Sequence, residues 1–235
     1  PPPRGRRIEF VGDSSISGFG IECTSAYQEF TPATANERKS YPALVATALE
    51  ADHANVSYSG KGVTRNVDDG DRVTFEALYE RALPDDPAST WSFGSWVPDL
   101  VFVALGGNDF YPTNDRPPPD LAALKAKYHE LVALIRSKNP SAQIVCSVEG
   151  ALTDASPPGY DAYTSLGGVL QAVVAERNAA PTSDPKVHYF ELPRADRSGR
   201  DGAPDVTGCN LHTNVVFHEK AAAAATAKIR SIMGW

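Results

Sequence analysis

Two residues far apart in the chain carry side chains suited to nucleophilic catalysis, Ser14 and His212. Ser14 stands in Phe10-Val11-Gly12-Asp13-Ser14-Ser15-Ile16-Ser17-Gly18-Phe19-Gly20, where an acid, hydroxyls and glycines follow the apolar run Ile8 to Val11. A serine hydroxyl is a weak nucleophile near neutrality. It needs a neutral imidazole to take its proton and later return it to the leaving alcohol. His212, in Gly208-Cys209-Asn210-Leu211-His212-Thr213-Asn214, is the best candidate for that base. Attack on an ester carbonyl builds negative charge on oxygen, and each fixed donor aimed at it is worth roughly 10²–10³ in rate. The expected donors are the backbone N–H of Ser14, the backbone N–H of Gly62 and the side-chain amide of Asn108. Gly62 leaves room for substrate, and Asn108, in Gly106-Gly107-Asn108-Asp109, is a neutral donor that forms no competing ion pair. Together these groups describe acyl transfer through a serine ester.

Such groups meet only if a scaffold brings several turns to one edge. Arg7 to Val11 reads as a first strand ending at the Ser14 turn. Residues 21 to 40 show no clear period and read as a loop over the site, followed by a helix from Tyr41 to Glu50. A second strand, Asn55 to Tyr58, runs into Ser59-Gly60-Lys61-Gly62-Val63-Thr64-Arg65-Asn66, and a short helix follows at Phe75 to Leu83. Asp99 to Leu105 is a continuous apolar run, as expected of a strand covered on both faces. Pro117-Pro118-Pro119-Asp120 opens a helix to about Lys138. Beyond it come a strand at Gln143 to Val148, a helix at Tyr160 to Asn178, a strand at Val187 to Leu192 and a last helix from Asn214 to Met233. Strand and helix alternate, so right-handed crossovers predict a parallel sheet of about five strands between helices. The fold class is therefore α/β, a three-layer α/β/α flavodoxin-like domain over residues 7–235. The Pro-rich basic stretch 1–6 is expected to be a tail or linker stub.

The four functional segments together resemble the SGNH, or GDSL-type, hydrolases, named for four residues in four blocks. Gly12-Asp13-Ser14 matches the first block, Gly62 of Gly62-Val63-Thr64 the second, Gly106-Gly107-Asn108-Asp109 the third and His212 the fourth. More narrowly, Arg7-Ile8-Glu9-Phe10, Ser59 to Asn66, Gly208 to Asn214 with His218, and Met233-Gly234-Trp235 resemble family 2 of the carbohydrate esterases. The resemblance implies a serine esterase that removes acetyl groups from sugars or polysaccharides such as xylan. It further implies an acyl-enzyme intermediate, no cofactor, no metal and a secreted protein acting on acetylated carbohydrate or another small ester. The sequence departs from the SGNH pattern at one place. Those enzymes carry an aspartate three residues before the histidine, and here that position is Cys209. Two arrangements stay open: a triad with Asp205, the nearest upstream carboxylate, and a Ser-His dyad whose imidazole is oriented by a backbone carbonyl.

Other residues divide into substrate and scaffold candidates. Trp91, Phe93, Trp96 and Tyr111 are expected to offer aromatic faces to a pyranose ring, with loop packing as the alternative. Arg65 and Lys61 are candidates for the substrate's polar groups. Asp13 and Asp109 read as turn residues, and His218 reads as a structural residue of the last helix. Three cysteines, Cys23, Cys146 and Cys209, allow one disulfide; Cys146 with Cys209 is one pairing, both being expected at the same sheet edge. Cys209, His212 and His218 have no spacing that supports a metal site. With 42% hydrophobic residues, 22% charged residues and a net charge of −7 over 235 residues, the chain is suited to one domain and has no basic face for nucleic acid or anionic membrane. Two rival functions remain: a broad short-chain carboxylesterase, thioesterase or lysophospholipase, and a catalytically weak carbohydrate-binding module.

Overall fold

The computed structural model describes residues 4–181, 183–198 and 204–235. The apolar runs form β1 (Arg7–Gly12), β3 (Leu100–Ala104), β4 (Gln143–Val148) and β5 (Val187–Glu191), and a more polar run forms β2 (Asp52–Ser57). All pair in parallel in the order β2-β1-β3-β4-β5. Between them run α1 (Ser14–Ser17), α2 (Tyr41–Ala48), α3 (Phe75–Tyr79), α4 (Leu121–Lys138), α5 (Ala162–Asn178) and α6 (Val215–Met233). Local chemistry sets the helix starts. Asp120 caps α4 by accepting from the N–H groups of Ala122 (2.8 Å) and Ala123 (3.2 Å), and Asn214 caps α6 through Phe217 N–H (3.2 Å).

Alternation along the strands divides the core in two. Ile8, Phe10, Leu100, Phe102 and Ala104 pack beneath α2 and α6, where Ala221 and Ala225 let the helices lie close to the sheet. Val11, Val101, Val103, Ile144, Cys146 and Val148 pack on the opposite face beneath α3, α4 and α5. The expected three-layer α/β/α architecture with five parallel strands is thus the observed one.

The bounds of the second strand differ from expectation. Strand β2 starts at Asp52, three residues before the predicted Asn55, because Asp52 N–H pairs with Arg6 O at 2.8 Å. Its polar start, Asp52-His53, is tolerated on an edge strand where one side meets solvent. The same contact engages the last residue of the stretch 1–6 through the Arg6 carbonyl. Residues 1–3 lie outside the described residues, but Arg4 N–H donates to Asp52 (2.8 Å) and the Arg6 guanidinium donates to Leu49 O (2.7 Å).

The strand order reverses at β1, whose neighbours are β2 on one side and β3 on the other. An open α/β sheet has its crevice at the carboxyl ends of such a switch point. The turn bearing Ser14 leaves β1 there, and the turn bearing Asn108 leaves β3 beside it.

Candidate active site

Ser14 opens α1 directly after β1, and Asp13 caps that turn by accepting from Ser15 N–H at 2.9 Å. The cap leaves the Ser14 side chain facing a cleft of about 570 Å³ that also holds Gly60, Asn108, Tyr111, Arg197 and His212. His212 Nε2 lies 2.9 Å from Ser14 Oγ. Its Nδ1 lies 2.9 Å from Cys209 O and 3.2 Å from Asn210 O. Two carbonyls can only accept, so Nδ1 carries the proton and Nε2 presents its lone pair to the serine hydroxyl. The ring of Phe19 packs on the imidazole at a centroid distance of 4.4 Å.

The loop that presents His212 is tied to the segment before α2 at several points. Cys209, Asn210 and Leu211 donate their N–H groups to Gly20 O (3.1 Å), Gln28 O (3.3 Å) and Ala26 O (2.8 Å). A disulfide joins Cys23 to Cys209 with Cα atoms 5.3 Å apart. This corrects the suggested Cys146–Cys209 pairing. Cys146 is buried and free, in the β4 core beneath α4 and α5.

Asp205 is brought near α6, not to the imidazole. Its carboxylate is fully buried and accepts from Lys220 Nζ (2.8 and 2.9 Å) and from Asp196 N–H (2.8 Å). The triad with Asp205 therefore does not form, and the positions that would face it on His212 Nδ1 are filled by backbone carbonyls. Asp205→Ala is expected to keep kcat within a few-fold while lowering stability by about 1–3 kcal/mol through the orphaned Asp196 N–H. Steady-state rates and a denaturant midpoint measured on the same variant check this; a large fall in kcat without a fall in stability would restore Asp205 as the orienting acid.

The predicted oxyanion donors separate. Ser14 N–H has no hydrogen-bond partner among the described residues. Gly62 does not line the cleft: its N–H donates to Asn66 Oδ1 at 3.1 Å, and a Cβ there would meet Arg65 O at 2.2 Å and Asp109 Oδ2 at 2.5 Å. Its lack of a side chain serves the packing of the loop against Asp109, not room for substrate. Gly60, two residues earlier, lines the cleft with φ of +80°, and its N–H is also without a partner among the described residues. The Asn108 amide lies in the cleft and donates to Asp13 Oδ2 (2.8 Å) and Lys61 O (2.8 Å). Asp109, read as a turn residue, is a buried clamp that accepts from the N–H groups of Val63 (2.8 Å), Thr64 (2.7 Å) and Arg65 (3.1 Å).

Of the substrate-binding candidates only Tyr111 lines the cleft, with 53% of its surface exposed. Trp91, Phe93 and Trp96 line a separate cavity of about 330 Å³ beside β2 and α3, so the aromatic platform at Ser14 is not assembled from them. Arg65 turns inward, donating from Nε to Asp109 O at 2.6 Å. Lys61 is buried against Asp71 and Val73 O (2.7 Å). His218 is buried and accepts Tyr41 N–H at 3.1 Å, the structural role expected of it.

Residues 10–220 match the model of the GDSL-like Lipase/Acylhydrolase family. The chain belongs to that family. Cellulase/esterase CelE of Acetivibrio thermocellus is 32% identical over 235 residues, 100% of this chain and 26% of its own length. An acetylxylan esterase / glucomannan deacetylase of Cellvibrio japonicus is 33% identical over 152 residues, 63% of this chain and 40% of its own. Among solved structures, a family two carbohydrate esterase from Clostridium thermocellum in complex with cellohexaose superposes with a TM-score of 0.87 at 30% identity, covering 100% of this chain and 66% of that one. The chain spans only part of each of these proteins.

Within the GDSL-like family pattern, the residues missed from sequence are Gly60 and Phe19, and of the backbone carbonyl that the sequence left open beside His212 only its owner, Cys209, was not legible. Gly60 was open to detection as the first glycine after a strand at the sheet's carboxyl edge, whereas a backbone carbonyl leaves no trace in side-chain identity. Burial holds the His212 imidazole below its ordinary value of 6.5, against the raising effect of the Cys209 and Asn210 carbonyls. The folded state thus disfavours the charged ring, so His212 stays a neutral base as pH falls through 6.5. The acid limb of kcat/KM is expected to lie below that pH; a pH–rate profile with the limb above it would contradict this assignment.

Proposed function

We propose that this GDSL-family domain is a serine esterase that removes acetyl groups from carbohydrate. The observation that carries the reading is the 2.9 Å contact between His212 Nε2 and Ser14 Oγ, with Nδ1 fixed by carbonyls. In this reading Ser14 Oγ forms a bond to the acetyl carbon as its proton passes to His212 Nε2. The N–H groups of Ser14 and Gly60 receive the oxyanion, and Asn108 contributes a third donor by turning one hydrogen from Lys61 O. His212 then protonates the departing sugar hydroxyl as the C–O bond breaks. Water, deprotonated by His212, attacks the acetyl-serine and releases acetate. Every proton moves between substrate, water and His212, so the chemistry calls on no cofactor.

The sugar substrate is supported by the names of the relatives and by an open cleft edged by the exposed Tyr111 ring. The Cys23–Cys209 disulfide supports an oxidising, extracytoplasmic location. Among the described residues no helix is long and apolar enough to cross a membrane. A binding-only module is motivated by the missing aspartate and the aromatic loop; the Cys209 carbonyl stands at His212 Nδ1 in place of the first, and the Trp91–Trp96 loop lines a cavity apart from Ser14.

The test is acetate release from acetylated xylan, set beside hydrolysis of p-nitrophenyl acetate and butyrate. Acetate release from xylan, with acetate esters preferred over butyrate, is the expected result. Turnover of the p-nitrophenyl esters alone, with butyrate preferred, would replace this reading with the broad short-chain esterase.

A further inference from the structure

Trp91 and Trp96, which do not reach Ser14, wall a cavity of about 330 Å³ beside β2 and α3. Tyr79 and Phe93 line it too, with their rings 5.4 Å apart between centroids. Trp91 N–H donates to Glu80 O at 2.8 Å, which ties the aromatic loop to the end of α3. The Trp91 ring stands at the rim, since 41% of the residue is exposed. The floor is polar. Glu9 of β1 lines the cavity and is only 3% exposed. Its Oε1 accepts the Tyr79 hydroxyl at 2.6 Å, and that hydroxyl accepts from Asn139 Nδ2 at 2.8 Å. Its Oε2 has no hydrogen-bond partner among the described residues. Opposite Glu9 on β2 stands Ala54, also part of the lining, whose small side chain leaves the carboxylate open to the cavity.

We propose that this cavity is a second carbohydrate site, separate from the Ser14 cleft, that takes a pyranose unit of a neutral polysaccharide. A pyranose has apolar C–H faces suited to an indole ring and hydroxyls around its edge. The cavity offers the matching parts, aromatic walls and one open acceptor at the floor. A wholly apolar occupant fits less well, because it would seal Glu9 Oε2 from water without a partner. A cation would meet Glu9, but positive charge already borders the site. Arg81 lines the cavity, its guanidinium held by donation from Nη1 to Pro84 O at 2.7 Å, and the Lys138 ammonium lies 5.3 Å from the centroid of the Phe93 ring. Sugar hydroxyls can donate to Glu9 and accept from Arg81, so a neutral polyol satisfies both charges. The two sites also share one loop. Tyr58 lines the cavity while Ser59 and Gly60 line the Ser14 cleft, and the Cα atoms of residues two apart are separated by at most about 7 Å.

The inference rests on the carbohydrate reading above for its choice of ligand, but not on catalysis by Ser14. Tryptophan fluorescence separates the two sites. Of the three tryptophans, Trp91 and Trp96 line the cavity, Trp235 packs against the Arg6 guanidinium at 5.4 Å, and none lines the Ser14 cleft. Titration of the protein with xylohexaose, which carries no ester, is expected to change the emission saturably. Trp91→Ala keeps Trp96 as a reporter and should weaken that binding about tenfold by removing a stacking face. Glu9→Gln should weaken it about tenfold as well, because its amide oxygen still accepts from Tyr79 while the open position loses a charged acceptor. Unchanged emission at millimolar hexaose, or an affinity unaltered by either substitution, overturns the proposal. A response to tetramethylammonium chloride without one to the hexaose also overturns it, and would make the cavity a cation cage. Should Glu9→Gln fail to fold, Trp91→Ala, which alters an exposed ring, decides. If acetate release from xylan fails while the hexaose still changes the emission, the esterase reading is lost and this site stands; the reverse result removes this site alone.

Discussion

Replacing Ser14 with alanine is expected to lower kcat on acetate esters by about 10⁶-fold, and His212→Ala should do the same. Ser14 Oγ is placed 2.9 Å from the only imidazole that lines the cleft among the described residues, so neither group has a substitute there. Ser15, the neighbouring hydroxyl, is directed toward Glu149 and away from His212. Because the two act as one unit, the double variant should be scarcely worse than either single one. The residual rate would then report only what the donor N–H groups and substrate binding supply, roughly 10³–10⁴ over water. Pre-steady-state release of p-nitrophenol provides the sharper reading, since a burst requires an acyl-serine. A burst that persists in Ser14→Ala would move the nucleophile elsewhere.

The second large effect is expected from the disulfide. Replacing Cys23 and Cys209 together by serine should destabilise the protein by about 2–4 kcal/mol, since the bridge closes a long loop in the unfolded chain. The two cysteines are 186 residues apart in sequence. The effect on rate should be separate. Cys209 supplies the carbonyl that orients His212, and its loop is otherwise held by the three N–H bonds to Gly20, Gln28 and Ala26. Loosening it by a fraction of an ångström should cost roughly tenfold in kcat. Denaturant unfolding and acetate release, each with and without reductant, measure the two effects. Equal stability of the oxidised, reduced and doubly substituted forms would argue that the bridge contributes nothing.

Ser14 and His212 were legible because nucleophilic chemistry needs particular side chains, and an Asp-Ser turn after a buried strand announces where one stands. The sheet was legible as well, since continuous apolar runs and helical periodicity are imposed by burial, and the right-handed crossover rule then constrains topology. The remaining assignments depended on direction, which side-chain identity does not carry. Gly60 and Gly62 are both glycines in one loop, and only the packing of that loop on Asp109 decides which N–H faces the cleft. Asp205 and the Cys209 carbonyl were both able to orient an imidazole, and Lys220, arriving from α6, takes Asp205 away. Trp91 and Trp96 had the chemistry for stacking on a sugar, but their loop leaves on the β2 side of the sheet. The sequence by itself thus determined the scaffold and the side chains proposed to react on it, because both follow from residue type and period. Only the tertiary structure decided which neighbours aim and hold those groups, because aim depends on contacts between residues distant in the chain.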